Sequence, residues 1–179
     1  MDVARSRVLG PLAGTLLLLS PPLTAAAHAQ QAGSGPPVRI AVFDFELEDK
    51  SAGAGIIAQD EHDTKYLAEA TQKARDMLSA AGYTIVDTKG ADLDAAKKFG
   101  IRNCGGCEAP AALKLGGDQA MLGVVTRVNR TEYTLFIRVL DARSGEQVSN
   151  NFTNLRMGAN YAWPRGVKWL MDKQVLAAK

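Results

Sequence analysis

Cys104 and Cys107 stand three apart in the run Asn103-Cys104-Gly105-Gly106-Cys107-Glu108, and the chain has no other cysteine. Three chemistries are open to such a pair: closure into a small structural disulfide, exchange of that disulfide with a partner, or ligation of a metal. A structural zinc site needs four donors, and among the other residues only His62 and carboxylates could supply them once a leader containing His28 is removed. Covalent haem attachment requires a histidine directly after the second cysteine, where Glu108 stands. One histidine also leaves little for a Ser/His/Asp triad. The sequence therefore predicts no cofactor, no metal site and no complete catalytic constellation. It poses one question, whether Cys104 and Cys107 staple or exchange.

The compartment bears on that question. Arg5 and Arg7 precede an apolar run from Val8 through Leu19, Pro21-Pro22 breaks it, and Ala27 and Ala29 supply the small residues of a cleavage site. This is the pattern of a secretory signal peptide over residues 1–29, with cleavage expected near Ala29 and a Gly/Ser/Pro linker over 30–37. The apolar run is shorter than the roughly 20 residues a bilayer span needs, and no cysteine follows it to carry a lipid. The expected product is an exported protein without a membrane span, periplasmic in a Gram-negative cell, where thiols are oxidised. Residues 38–179 are then of a size for one domain. The chain carries 21 Lys plus Arg against 19 Asp plus Glu, and losing Arg5, Arg7 and Asp2 leaves 19 against 18. That balance gives no electrostatic case for nucleic acid, and Arg127, Arg130, Arg138 and Arg143 read as solvated strand and turn positions.

The elements that must position the pair follow from periodicity. Val38 to Leu47 is an apolar, β-rich run expected to form a buried first strand, followed by a polar loop over 48–55. Asp60 or Asp63 can cap a helix whose Leu67, Ala70, Ala74, Leu78 and Ala81 share one face, and Gly82 is placed to end it. A short strand over Tyr83 to Val86 and a short helix over Ala91 to Phe99 lead to Gly100 and the cysteines. Beyond them Ala109 to Leu115 reads as a helix with Pro110 in its first turn. Ala120 to Val128, Glu132 to Leu140 and Gln147 to Met157 form an antiparallel meander, separated by turn chemistry at 129–131 and 141–145. A last helix from about Tyr161, with Pro164 early in it, aligns Trp163, Val167, Leu170 and Met171, and at least one of Trp163 and Trp169 should seal it onto the sheet. The expected fold is α/β (α+β): a mixed sheet of about five strands, with helices packed on it and an antiparallel C-terminal half.

Ile40-Ala41-Val42-Phe43-Asp44-Phe45, Lys114-Leu115-Gly116-Gly117-Asp118 leading into Leu122-Gly123-Val124-Val125, and Leu140-Asp141-Ala142-Arg143-Ser144-Gly145-Glu146 carry a resemblance. They are similar to the amino-terminal domain of the translocation protein TolB and the domain of curli-secretion and lipoprotein-activator proteins. From Val38 to Val175 the chain more closely resembles an uncharacterised exported proteobacterial family, of the domain-of-unknown-function 3280 type. The resemblance implies a fold, an envelope location and work by binding other envelope proteins. It implies no catalytic residues.

For exchange speak the position of Cys104 and Cys107 before a helix and the charge of Arg102. Against it, Lys97 to Ile101 reads as a helix end and loop rather than the buried strand that leads into a thioredoxin-like site. Glu108 adds a negative charge, and neither Pro110 nor Pro164 is placed to face the pair. Asp44, Glu46, Glu48, Asp49, Asp60, Glu61 and Asp63 form an acidic neighbourhood whose spacing fits no EF-hand, and a solvated loop is favoured over a calcium site. Asp44 reads as a hydrogen-bonded carboxylate at a strand end. The favoured reading is a non-catalytic envelope module that binds an envelope or periplasmic protein, stapled by Cys104–Cys107. The alternatives are a periplasmic exchange protein in which Cys104 attacks and Cys107 resolves, and an accessory factor of an exported oxidoreductase system.

Overall fold

The structure is a computed structural model that describes residues 36–56, 59–129, 131–156 and 162–177. The leader assigned to 1–29 and most of the 30–37 linker lie outside the described residues, as do Arg130 and Tyr161. The elements in chain order are β1 (Arg39–Val42), β2 (Glu46–Asp49), α1 (Glu61–Ala80), β3 (Thr84–Val86), two 3-10 turns (Asp94–Ala96 and Ile101–Asn103), α2 (Glu108–Lys114), β4 (Gln119–Arg127), β5 (Glu132–Asp141), β6 (Gln147–Arg156) and α3 (Ala162–Leu170), which runs on into a π turn (Met171–Val175). The six-stranded sheet has the order β3-β1-β4-β5-β6, with β2 also pairing β4. β1 is parallel to β3 and β4, and β4, β5 and β6 form the expected antiparallel meander.

The apolar first run makes two short strands rather than one, which brings the sheet to six. β1 pairs the start of β4 and β2 pairs its end, so the two are successive pieces of one path along the same neighbour. Between them α1 intrudes on the ladder: the Phe45 N–H donates to Thr71 Oγ1 at 2.9 Å, and Arg75 donates to the Val42 carbonyl at 2.8 Å. The kink lays the Phe45 ring over Gly123, where a Cβ would sit 2.2 Å from the ring, so glycine is required there for space. Glu48 and Asp49, expected in a loop, belong to β2. In place of the helix expected over 91–99 there is a single 3-10 turn, Asp94–Ala96. Asp92 ties the Asp94 N–H at 3.4 Å, and the only buried apolar residue of that stretch is Ala96, too little to dock a helix face.

The sheet separates two layers of unequal bulk. On one face α1, α3 and the π turn cover Ile40, Val42, Phe45, Met121, Val125, Tyr133, Leu135, Ile137, Val139 and Leu155 with Leu67, Leu78, Trp163, Val167, Leu170 and Met171. α1 begins at Asp60, whose side chain accepts the Asp63 N–H at 2.7 Å, and ends before Gly82 as expected, although Ala81 is its exposed cap rather than part of the buried face. Trp163 is fully buried and tilted against Tyr133 at 5.7 Å, whereas Trp169 is 48% exposed. The opposite layer is thin: Ala96, Ala111, Ala112 and Ile101 pack on Ala41, Phe43, Ala120, Leu122 and Val124, with Cys104 and Cys107 at its margin. Side chains of β4 alternate between the two layers, so this strand is covered on both sides.

Candidate functional site

The cysteine loop is held from below by a carboxylate of the sheet. Glu46, on β2, accepts the Ile101 N–H at 2.6 Å through Oε1 and the Arg102 N–H at 3.0 Å through Oε2, which also receives Arg102 Nη1 at 3.0 Å. The approach is so close that a Cβ on Gly100 would meet the Glu46 carboxylate at 2.9 Å, and Gly100 has φ +80°. Only glycine answers both demands. The 3-10 turn Ile101–Asn103 delivers Cys104, Gly105 and Gly106 take positive φ, and Cys107 opens α2.

The two sulfurs lie 2.01 Å apart, at disulfide distance, and both cysteines are half-buried. The Cys107 N–H points at Cys104 Sγ at 3.1 Å. On its other sides Cys104 Sγ faces the Ile101 carbonyl at 3.1 Å and Glu108 Oε2 at 3.9 Å. Glu108 is completely buried, and its Oε1 accepts from Arg138 Nε at 2.5 Å, while Arg138 Nη2 reaches the Ile101 carbonyl at 3.3 Å. If the pair is opened, the surroundings offer a Cys104 thiolate one hydrogen-bond donor, beside a carbonyl oxygen and a carboxylate paired with Arg138. A metal fits no better. Cys104, Cys107 and Glu108 place donor atoms within 4.8 Å of one another, but Arg138 already occupies the carboxylate and the donors number three.

Two arginines expected at solvated positions are in fact paired inside the fold. Arg138 is one. Arg127, at the end of β4, contacts Asp49 at 3.0 Å, Asp63 at 2.5 Å and the Tyr133 hydroxyl at 3.3 Å, and Asp63 is buried. Burial works against the charge of Arg127, yet its contacts with Asp63, Tyr133 and Asp49 hold its pKa above the ordinary value. Most of the acidic neighbourhood is thus divided among protein partners: Asp49 and Asp63 with Arg127, Glu46 with Arg102, Glu48 with Lys50 and Thr126, Asp44 with Arg75 at 3.1 Å, and Asp60 at the helix cap, while Glu61 is exposed. Arg143 is exposed, as is His62, which does not belong to the donor group Cys104, Cys107 and Glu108. Register could have revealed Arg138. It stands opposite Leu122, and the two-sided apolar pattern of β4 implies that this neighbour lies under the second layer as well.

Residues 38–175 match a family described as a protein of unknown function (DUF2380). The chain belongs to the DUF3280 family. No curated protein matches this DUF3280 chain. Among solved structures it is similar to the LpoB C-terminal domain from Salmonella enterica (14% identity, TM-score 0.44, 71% of this chain and 87% of that one). It is also similar to the lipoprotein GNA1162 from Neisseria meningitidis (20% identity, TM-score 0.46, 79% and 96%) and to TolB from Acinetobacter baumannii (9% identity, TM-score 0.42, 78% and 28%). Among the described residues of this DUF3280 domain, no helix is long and apolar enough to cross a membrane.

Proposed function

We propose that this DUF3280 chain is exported, loses a leader at about Ala29, and acts as a non-catalytic envelope module that binds a partner protein, with Cys104–Cys107 stapling the loop between the sheet and α2. The observation that carries the reading is the surroundings of Cys104 Sγ: a carbonyl and a buried carboxylate, against a single amide donor. Such a sulfur is a poor attacking group and a poor leaving group, because both roles need a stabilised thiolate. The test is to equilibrate the mature chain in thiol redox buffers and to follow alkylation of the reduced form against pH. A reduction potential below about −300 mV with a slowly alkylated Cys104 supports the staple. A potential between roughly −120 and −230 mV with a fast-reacting Cys104 overturns it in favour of exchange. The 3.1 Å contact from the Cys107 amide is the one feature that favours this second reading.

A further inference from the structure

β6 is the last strand of the sheet, and among the described residues nothing pairs with its outer edge. A free edge of that length is ordinarily blunted by a lysine, a proline or a bulge. Here the pairing with β5 skips Val148, and from Ser149 to Arg156 the ladder is regular. The first seven of those residues, Ser149-Asn150-Asn151-Phe152-Thr153-Asn154-Leu155, contain no charge and no proline, and Arg156 ends the strand. On the face turned toward the thin layer, Phe152 stands opposite Phe136 and is 52% exposed.

We propose that this edge pairs with the same edge of a second copy, antiparallel, about a two-fold axis through Phe152. Side chains of paired strands must stay in phase, so the axis of a two-fold β6–β6 contact passes through a residue rather than between two. The regular stretch runs from Ser149 to Arg156, with Phe152 and Thr153 at its middle, and the axis is placed on Phe152. With the axis there, Phe152 faces its own copy, flanked on the same face by Asn150 against Asn154 on either side, amides that both donate and accept. On the other face Asn151 meets Thr153, again twice. Moving the axis to Asn151 or to Thr153 sets Phe152 against an asparagine, and moving it to Asn150 brings the bulged Val148 into the ladder. The neutral run Ser149 to Leu155 also meets its own copy without like-charge repulsion. The phenyl groups of Phe136 and Phe152 from both copies would form one apolar strip across the junction. The inference does not depend on the state of the cysteines, so either can fail alone.

The experiment is sedimentation equilibrium of the mature chain, residues 30–179, across the micromolar range, with Phe152→Lys beside it. A concentration-dependent dimer is expected, with Phe152→Lys weakening association by about tenfold or more, since it removes the phenyl pair and opposes two ammonium groups. The half-exposed site should leave the melting temperature close to that of the parent. Register is read with single free thiols, Cys104 and Cys107 being oxidised. Phe152→Cys should form a disulfide-linked dimer, whereas Asn150→Cys alone should not, because its copy lies about 13 Å away along the strand. A mixture of Asn150→Cys and Asn154→Cys should cross-link to the mixed dimer. A monomer at every concentration, a dimer indifferent to Phe152→Lys, or self-linking of Asn150→Cys overturns the proposal, and a monomer would leave this edge to a strand of another protein.

Discussion

Replacing Arg138 by methionine tests whether the cysteine loop is held by its buried ion pair. Glu108 has no exposed surface and Arg138 retains 19% of its side chain in contact with solvent, so the variant strands a carboxylate that water reaches poorly. Breaking a buried pair from one side costs about 3–5 kcal/mol. The partial exposure around Arg138 argues for the lower end, about 3 kcal/mol, which for a domain of this size lowers Tm by roughly 6–12 °C. Glu108→Met should be milder, about 1–2 kcal/mol, because Arg138 keeps its bond to the Ile101 carbonyl and can turn toward water. The double variant Glu108→Met/Arg138→Met removes both charges and should recover most of the loss, leaving a coupling energy of at least about 2 kcal/mol. Urea unfolding of all four proteins at pH 7, with the disulfide intact, measures this cycle. A cost below about 1 kcal/mol for Arg138→Met, or additive single effects, would refute the claim that the pair is the internal anchor of the loop.

Two further outcomes follow from the same geometry. Asp118 accepts from the backbone and the guanidinium of Arg39, which holds its carboxyl at about 2, below the usual 3.8. A folded value below the unfolded one means a contribution present above pH 3.8 and lost as pH falls through about 2, so a carbon-detected NMR titration should show Asp118 at the low value and Arg39→Met should return it toward 3.8. Should Asp118 titrate at the ordinary value in the parent, the pairing is not formed in solution. For Gly123→Ala, the new Cβ would sit 2.2 Å from the ring of Phe45, itself 4% exposed and unable to swing out. We expect a loss of about 1–3 kcal/mol, partly restored by Phe45→Leu; an unchanged unfolding midpoint would contradict the packing described.

Much of this fold was legible because the signals were periodic. The α1 face, the meander and the alignment of Trp163, Val167, Leu170 and Met171 each rest on repeats of 3.6 or 2 residues, and each is present. The kink between β1 and β2 was not legible, because it is made by Thr71 and Arg75 reaching in from a helix some thirty residues away. The 91–99 segment failed for a different reason: helix propensity without a partner face does not make a helix. At the site, the proximity of Cys104 and Cys107 could be read from spacing alone. Their surroundings could not, since Glu46, Glu108 and Arg138 come from three elements and look on paper like ordinary surface charges. Burial of a charge is a property of register and layering, which one strand's sequence does not contain.

The thin alanine-lined layer has a kinetic meaning. α1 and α3 bury large side chains, whereas α2 and the two 3-10 turns contribute mostly methyl groups, a single isoleucine and a few polar ties. Free energy of local opening tracks buried apolar contact, so the turn–α2 unit should be the part of the domain that detaches from the sheet at the lowest energy, with the other layer still in place. Amide hydrogens of 101–114 would then exchange through a sub-global opening while those of β4 and β5 wait for complete unfolding. A cross-link spanning three residues cannot tether that unit to the sheet, so the disulfide leaves the opening possible and merely narrows the ensemble the freed loop can visit. Access of any reductant to the two sulfurs is accordingly governed by how often this flap lifts.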